Sequence, residues 1–136
     1  MSAATVNAPT ADGGTSEVEK RVASIIREVQ YADLPDDQQK IIMDIASSAY
    51  EKFVLLPTQS TWRKEPGARK ELEREVERSC LREIAQHIKA TLDEKLGASW
   101  HVVFGRSFAS FVTHERMSMI HFSFEGADVV VWKHGA

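Results

Sequence analysis

The sequence predicts an α+β fold in which two helices pack on one face of an antiparallel sheet of four to five strands. Before Gly97, apolar residues recur at helical spacing in two long stretches. After Gly97, the spacing changes to two and continues through short apolar segments joined by tight turns. Since the helices precede the strands instead of alternating with them, both helices are expected to cover the same sheet face.

An N-terminal extension, residues 1–26, precedes the predicted domain, which spans residues 27–136. Residues 1 to about 15 are small and polar and are expected to be disordered, because they cannot bury enough apolar surface. The sequence SEVE that begins at Ser16 is a capping-box pattern and predicts a short amphipathic helix. The REVQY stretch that comes after it is a candidate for a short strand.

The first long helix is predicted over the stretch ADLPDDQQKIIMDIASSAYEKFVLL. Pro35 suits its start, because a proline in the first turn loses no hydrogen bond, and Pro57 is expected to end it. The second helix is predicted as one piece over residues 68–96, where apolar residues recur at every fourth position. Gly97 is placed to cap its end.

The first part of the second helix, residues 68–78, is dense in charged residues. Such a run is typical of a solvated face, and it is predicted to be exposed apart from Leu72 and Val76. The alternative is an arm that contacts a partner.

The period-two region predicts four strands: Trp100–Phe104, Phe108–His114, Met117–Phe124 and Ala127–Lys133. Ile120, Phe122 and Phe124 share one face of their strand and are expected to be core. The Phe108–His114 stretch differs, because neither of its faces is consistently apolar. We expect this strand to face another chain, either an added peptide strand or a second copy that exchanges strands.

Composition and motifs favour a binding protein over an enzyme. A net charge of −3 argues against nucleic acid as a partner. No run of 18 apolar residues and no signal-peptide pattern occur, and Cys80 alone permits no internal disulfide, so an intracellular protein is expected. Motifs for a phosphate loop, a zinc site or a nucleophile elbow are absent. His101, Ser107 and His114 leave a small hydrolase as the weakest alternative.

The stretch SWHVVFGRSFASFVTHE, followed by IHF and VVVWK, resembles the eight-kilodalton dynein light chain family. The likeness runs from Trp100 to about Gly135. It extends back through LREIAQHIKATLDEKLG and ADLPDDQQKIIMDIASSAYEKF. Residues 54–79 are an insertion relative to the family, so the chain is similar to a divergent paralogue with an N-terminal extension.

The resemblance implies a non-catalytic, cofactor-free homodimer in which the strand at residues 108–113 crosses into the partner's sheet. A related light chain is the alternative dimer partner. Two grooves would then bind extended segments of dynein intermediate chains or other disordered clients. The implied location is the cytoplasm and cytoskeleton, with GASWHVV and VVVWK favouring an axonemal outer arm. A general dimerisation hub outside dynein is the alternative function. No metal, small-molecule substrate, nucleic acid or membrane is implied.

Site residues are carried over by position. The resemblance places in the peptide-binding groove Arg82, Phe108, Ser110, Phe111, Val112, Thr113, His114, Met119, His121 and Ser123. It places at the dimer interface Lys89, His101, Ser107, Phe108, Ala109, Phe111 and His134.

Three roles are expected within this set. Arg82 would meet a client carbonyl or acid, and Thr113 would offer its hydroxyl to a client side chain. His101 would lie in the interface, where its protonation would weaken the dimer.

Departures from the family predict a different client motif. Phe111, His121 and Ser123 stand where the family commonly has tyrosine, Leu81 replaces an acidic residue and Ala109 replaces a glycine. The TQS sequence at Thr58–Ser60 is similar to the core of family client peptides. Its docking into a groove is a second hypothesis, and a plain polar loop is the favoured interpretation.

Overall fold

The computed structural model describes residues 16–59 and 66–135. Its helices are α1 (Glu17–Ala23), α2 (Asp36–Tyr50), α3 (Leu56–Thr58), α4 (Pro66–Ser79) and α5 (Leu81–Leu96), and a π-helical turn (Glu51–Leu55) joins α2 to α3. Its strands are β1 (Arg27–Asp33), β2 (Trp100–Gly105), β3 (Met119–Phe124) and β4 (Ala127–Lys133). The predicted α+β class is therefore confirmed.

The four strands form one antiparallel sheet in the order β1-β3-β4-β2. The candidate REVQY strand is confirmed as β1, which is paired with β3 and interrupted by an irregularity between Val29 and Tyr31. At the opposite edge, β2 pairs with β4 alone among the described strands. Both outer strands thus leave one edge without a strand partner in the described part of the chain.

The core lies between the inner sheet face and helices α2 and α5. Ile120, Phe122 and Phe124 are fully buried, as their alternation predicts. The ring of Phe124 packs edge-on against Tyr50, with centroids 5.3 Å apart. Each such buried aromatic side chain contributes about 1.5–3 kcal/mol of transfer free energy. Ile42, Ala46 and Ala49 of α2 and Ile84, Ile88 and Leu92 of α5 complete this layer.

Helix starts and stops largely follow their local signals. The capping box at Ser16 is formed: the Glu19 N–H donates to Ser16 Oγ at 3.0 Å, and the Ser16 N–H donates to Glu19 Oε1 at 2.9 Å. Pro57 does not end the first long helix, contrary to the prediction, because helical structure continues through it in α3. Because proline lacks an N–H group, the turn before it widens, and the Leu56 N–H donates to the Glu51 carbonyl instead.

The second long helix is not one piece, contrary to the prediction. It breaks at Cys80, whose backbone leaves helical angles at φ −134° and ψ 25°. The Ser79 hydroxyl and the Cys80 thiol both donate to the Val76 carbonyl, at 2.7 and 3.2 Å. Side chains that compete for helix carbonyls in this way favour termination.

Two further predictions about this region are wrong. Residues 68–78 are not simply a solvated face, because Glu73 and Glu77 of α4 are only 2% and 1% exposed. Thr58 and Gln59 do not form a polar loop or an extended client mimic: Thr58 is buried in α3, and its hydroxyl donates to the Val54 carbonyl at 2.8 Å. Ser60, the third residue of that hypothesis, lies outside the described residues.

None of the described helices combines the length and the apolar character needed to cross a membrane.

Candidate peptide-binding and dimerisation surface

The segment between β2 and β3, here called the crossing segment (residues 107–114), forms no strand in the single chain. The predicted strand Phe108–His114 is therefore wrong for the isolated chain, and the strand predicted from Met117 begins at Met119. A strand needs a partner for its backbone groups, and the described residues supply none here. The side chain of Phe111 is 100% exposed.

Exposure alternates imperfectly along the crossing segment. Phe108, Val112 and His114 are half-buried, and Ser107, Ala109, Ser110, Phe111 and Thr113 are exposed. Phe108 lies over Gly105, where an added Cβ would be 3.8 Å from its ring. The exposed side thus carries one large aromatic ring among small and polar residues.

Both ends of the crossing segment are tied to the fold. At its start, Arg106 donates to Glu77 through Nε and Nη2, at 2.9 and 3.0 Å. Beyond its end, the Glu115 N–H donates to the Lys133 carbonyl at 3.2 Å, and the Met117 N–H donates to Asp33 Oδ2 at 3.1 Å. The segment is therefore a loop with fixed ends and an exposed middle.

The outer sheet face carries the predicted groove residues of β3. Met119, His121 and Ser123 are half-buried and point away from the core, alternating with the buried residues of the same strand. His121 Nε2 lies 3.0 Å from Asp128 Oδ1. The Ser123 hydroxyl donates to the Glu28 carbonyl at 3.2 Å and accepts from Gln30 at 3.0 Å. This face is therefore polar and already partly hydrogen-bonded.

Two predicted interface residues meet directly at the end of the sheet. His101 Nε2 lies 3.1 Å from the His134 carbonyl oxygen, and the His101 ring lies 5.5 Å from that of Trp132. Both histidines are accessible, so the contact lies at a surface that a second chain can cover.

Lys89 and Arg82 lie on α5. Lys89 pairs with Asp93 at 2.7 Å, and Asp93 also accepts from the backbone N–H of Trp100 at 2.8 Å. The Lys89 bond, followed by the Trp100 bond, lowers the pKa of Asp93. Arg82 is exposed in the first turn of α5, and its side chain forms no hydrogen bond or ion pair with the described residues. No side-chain hydrogen bond or ion pair joins it to the other predicted site residues, all of which are described.

The hydrolase alternative gains nothing from this geometry. Ser107 is exposed and forms no hydrogen bond to a histidine within the described residues. His114 Nδ1 lies 2.7 Å from the carbonyl of Glu115, and His101 contacts the His134 carbonyl. These three residues, all within the described part of the chain, therefore form no nucleophile–base pair.

A buried ionic cluster, which no sequence pattern predicted, lies beside this surface. Arg21 of α1 pairs with Glu73 of α4 at 2.9 Å and also with Glu125 of the β3–β4 turn. Tyr50 donates its hydroxyl to Glu77 Oε1 at 3.0 Å. Burial raises the pKa of Tyr50, and the charge of Glu77 raises it further. The available signal was the Glu73/Glu77 spacing of four residues, but this spacing is equally typical of a solvated face.

The pKa directions fit this cluster. Burial alone would lower the pKa of Arg21 and raise that of Glu125. Hydrogen bonds outweigh burial in both cases. Those with Glu73 and Glu125 raise the pKa of Arg21, and those with Arg21 and the Ile26 N–H lower the pKa of Glu125. The hydrogen bond with Glu77 raises the pKa of Arg106. Arg21, Arg106 and Glu125 are therefore charged at neutral pH.

Comparisons with known proteins agree with this fold. The family model for dynein light chain type 1 matches residues 27–134. A cytoplasmic dynein light chain of Emericella nidulans is 29% identical over 106 residues, covering 78% of this chain and 86% of that protein. Cytoplasmic dynein light chain 1 of Candida glabrata is 42% identical over 57 residues, covering 42% of this chain and 66% of that protein.

Solved structures show the same fold. The dynein light chain-like domain of a Fasciola hepatica calcium binding protein matches in its native form with a TM-score of 0.57 and 16% identity, covering 84% of this chain and 96% of that chain. Its mercury derivative gives a TM-score of 0.55 and 17% identity, covering 81% and 93%.

This chain belongs to the dynein light chain family. Membership supports a role as a light chain associated with dynein, in a family of structural and adaptor proteins rather than enzymes. The two relatives named cytoplasmic support the cytoplasm and cytoskeleton as its location.

Proposed function

We propose that this chain is a dynein light chain that dimerises by exchanging the crossing segment and binds extended segments of motor intermediate chains by strand addition. The observation that carries the proposal is the crossing segment itself. It has fixed ends, a fully exposed Phe111 and no strand partner in the described chain. Next to it along the sequence, β2 has one edge without a strand partner among the described residues.

Strand exchange would supply a partner both for the crossing segment and for the unpaired edge of β2. If the crossing segment of one copy pairs with the free edge of β2 in the other, its backbone groups gain partners and Phe111 leaves water. The two-fold relation then repeats the contact at the second site. An extended client can add beyond the exchanged strand, where backbone bonds give affinity and side-chain pockets give selectivity.

The client motif should differ from that of a tyrosine-lined groove. Neither His121 nor Ser123 carries the phenol of a tyrosine, and the polar group of each already has a partner, Asp128 for His121 and β1 for Ser123. We propose that Arg82 and Thr113 supply the polar contacts, because both are exposed. Two such grooves would engage a pair of intermediate chains together, so that the binding of one chain raises the effective concentration of the other.

The test combines dimer mass with client binding. Phe111→Lys places a charge in the proposed interface and should give a monomer that no longer binds an intermediate-chain segment. Ile26→Lys is the matched control, because Ile26 is also exposed, at 70%, but lies outside the crossing segment. A Phe111→Lys protein that remains a dimer would contradict the exchange.

The motor assignment within this proposal is an axonemal outer arm, and it rests on the GASWHVV and VVVWK stretches. A general dimerisation hub outside dynein is the second candidate, because a groove that binds extended chains does not itself require a motor. Co-purification with axonemal heavy chains supports the first. Co-purification with cytoplasmic dynein alone would replace the axonemal assignment, and client binding without any motor subunit would favour the hub.

A further inference from the structure

Helix α4 lies within the predicted insertion, and two glutamates on one of its edges are buried. Glu73 and Glu77 are one turn apart and are 2% and 1% exposed. Each faces an arginine from a distant part of the chain. Glu73 binds Arg21 of α1, and Glu77 binds Arg106, which follows β2. A buried carboxylate is retained at a tolerable cost only when its charge is paired and hydrogen-bonded, so each glutamate fixes the arginine that it faces.

Arg106 is held from three sides. Glu77 accepts two of its N–H groups, at 2.9 and 3.0 Å, in the two-pronged geometry that restricts a guanidinium most strongly. The carbonyl of Glu125 accepts a third bond at 3.0 Å. Gly126 lies against the same group, where a Cβ would come within 2.9 Å of Nη1. Glu77 is in turn held by the Tyr50 hydroxyl.

Arg106 lies directly before the crossing segment in the chain. The next residue, Ser107, begins the crossing segment and has a left-handed backbone with φ 59°. The direction in which the segment leaves the sheet is therefore set immediately after a fixed residue. Four of the next six residues, Ala109, Ser110, Phe111 and Thr113, are exposed and add little restraint of their own.

We propose that Glu77 is a positioning residue for dimerisation: through Arg106 it fixes the root of the crossing segment in the direction needed for exchange. This inference rests on the proposed strand exchange. A segment that is already oriented loses less conformational freedom when it binds, so the dimer forms more tightly. The insertion thereby acts on the interface, and α1 braces the same cluster through Arg21, which joins Glu73 to Glu125.

The glutamate pair supplies a matched experiment. Glu77→Gln and Glu73→Gln remove the same charge from the same buried edge of the same helix, but of the two glutamates only Glu77 bonds directly to Arg106. The dissociation constant of the dimer is measured by sedimentation equilibrium, and the denaturation midpoint is measured in parallel. Both variants should lower the midpoint. Glu77→Gln alone should raise the dissociation constant, by about tenfold.

A second variant keeps the proposal testable if Glu77→Gln fails to fold. Arg106→Lys keeps the positive charge but loses the two-pronged hydrogen bond to Glu77. The side chain at this position is partly exposed and should tolerate the change. It should raise the dissociation constant in the same way. The dissociation constant of the double variant should be no higher than that of the weaker-binding single variant, because both changes break the same contact.

The outcomes separate the two proposals. A wild-type chain that is monomeric at every concentration overturns strand exchange and this inference with it. A wild-type dimer whose dissociation constant responds equally to Glu77→Gln and Glu73→Gln keeps the exchange and overturns the positioning role. Fully additive effects of Glu77→Gln and Arg106→Lys would also overturn it.

Discussion

Phe122 and Phe111 have the same side chain but opposite solvent exposure, because they lie in two different regions of the protein. Phe122 lies on the inner face of β3 and is fully buried, whereas Phe111 lies in the middle of the crossing segment and is 100% exposed. The inner face is complete within one chain. The crossing segment has apolar surface and backbone groups that its own described chain does not cover, which is the condition that strand exchange relieves.

The largest effect should separate these two phenylalanines. Phe122→Ala removes a ring from a closed core and leaves a cavity, so it should lower the free energy of unfolding by about 3–5 kcal/mol. Phe111→Ala should leave the stability of the single chain unchanged, because its ring contacts little there. Chemical denaturation at a concentration below dimer formation checks both. Equal losses would mean that Phe111 is part of the monomer core.

The polar part of the interior should respond to acid. The pKa of Glu125 lies below its ordinary value of 4.5, since its bonds to Arg21 and Ile26 outweigh burial. Its stabilising contribution is therefore complete above pH 4.5. It is lost as the pH falls through the folded-state pKa, because the unfolded chain takes up the proton first.

The matching variant is Glu125→Gln, which should cost about 2 kcal/mol at pH 7. It should also flatten the fall in stability between pH 4.5 and lower values. Denaturation midpoints across this pH range provide the measurement, with Glu17→Gln as the control, because Glu17 is exposed in the first turn of α1. An unchanged dependence of stability on pH in Glu125→Gln would contradict the contribution of Glu125 to the loss of stability in acid.

Tyr50 probes a single bond in the same interior. Tyr50→Phe keeps the ring against Phe124 and removes only the hydroxyl that donates to Glu77. The expected cost is about 1.5 kcal/mol, because the carboxylate keeps its bonds to Arg106. Thermal and urea unfolding are suitable measurements. A neutral result would indicate that Arg106 alone satisfies Glu77.

The smallest effect concerns the N-terminal helix. Ser16→Ala removes the capping box of α1 and should cost about 0.5–1 kcal/mol, since the cap is exposed. Hydrogen exchange of the α1 amides should speed up while that of β3 does not. Uniform acceleration across the sheet would mean that α1 is part of the cooperative core instead of a brace at its edge.

Sequence alone predicted the elements whose signals are local. The alternation of Ile120, Phe122 and Phe124 identified the inner face, and the capping box at Ser16 identified α1. The buried glutamates could not be found in this way. Glu73 and Glu77 meet arginines that are 52 and 29 residues away, and no local period encodes such pairs.

The crossing segment failed as a strand prediction for a related reason. Its alternating residues suit a strand, but a strand exists only where a neighbour accepts its backbone bonds. The break at Cys80 also escaped prediction, because the apolar spacing continues through it and only the Ser79 and Cys80 bonds to Val76 mark the end of α4.

The solution mass of the wild-type chain tests the central claim most directly. Light scattering at pH 7.5, over a range of concentrations, should give twice the chain mass of 15.3 kDa. It should fall toward 15.3 kDa in Phe111→Lys but not in Ile26→Lys. A wild-type mass of 15.3 kDa at every concentration would contradict strand exchange through the crossing segment.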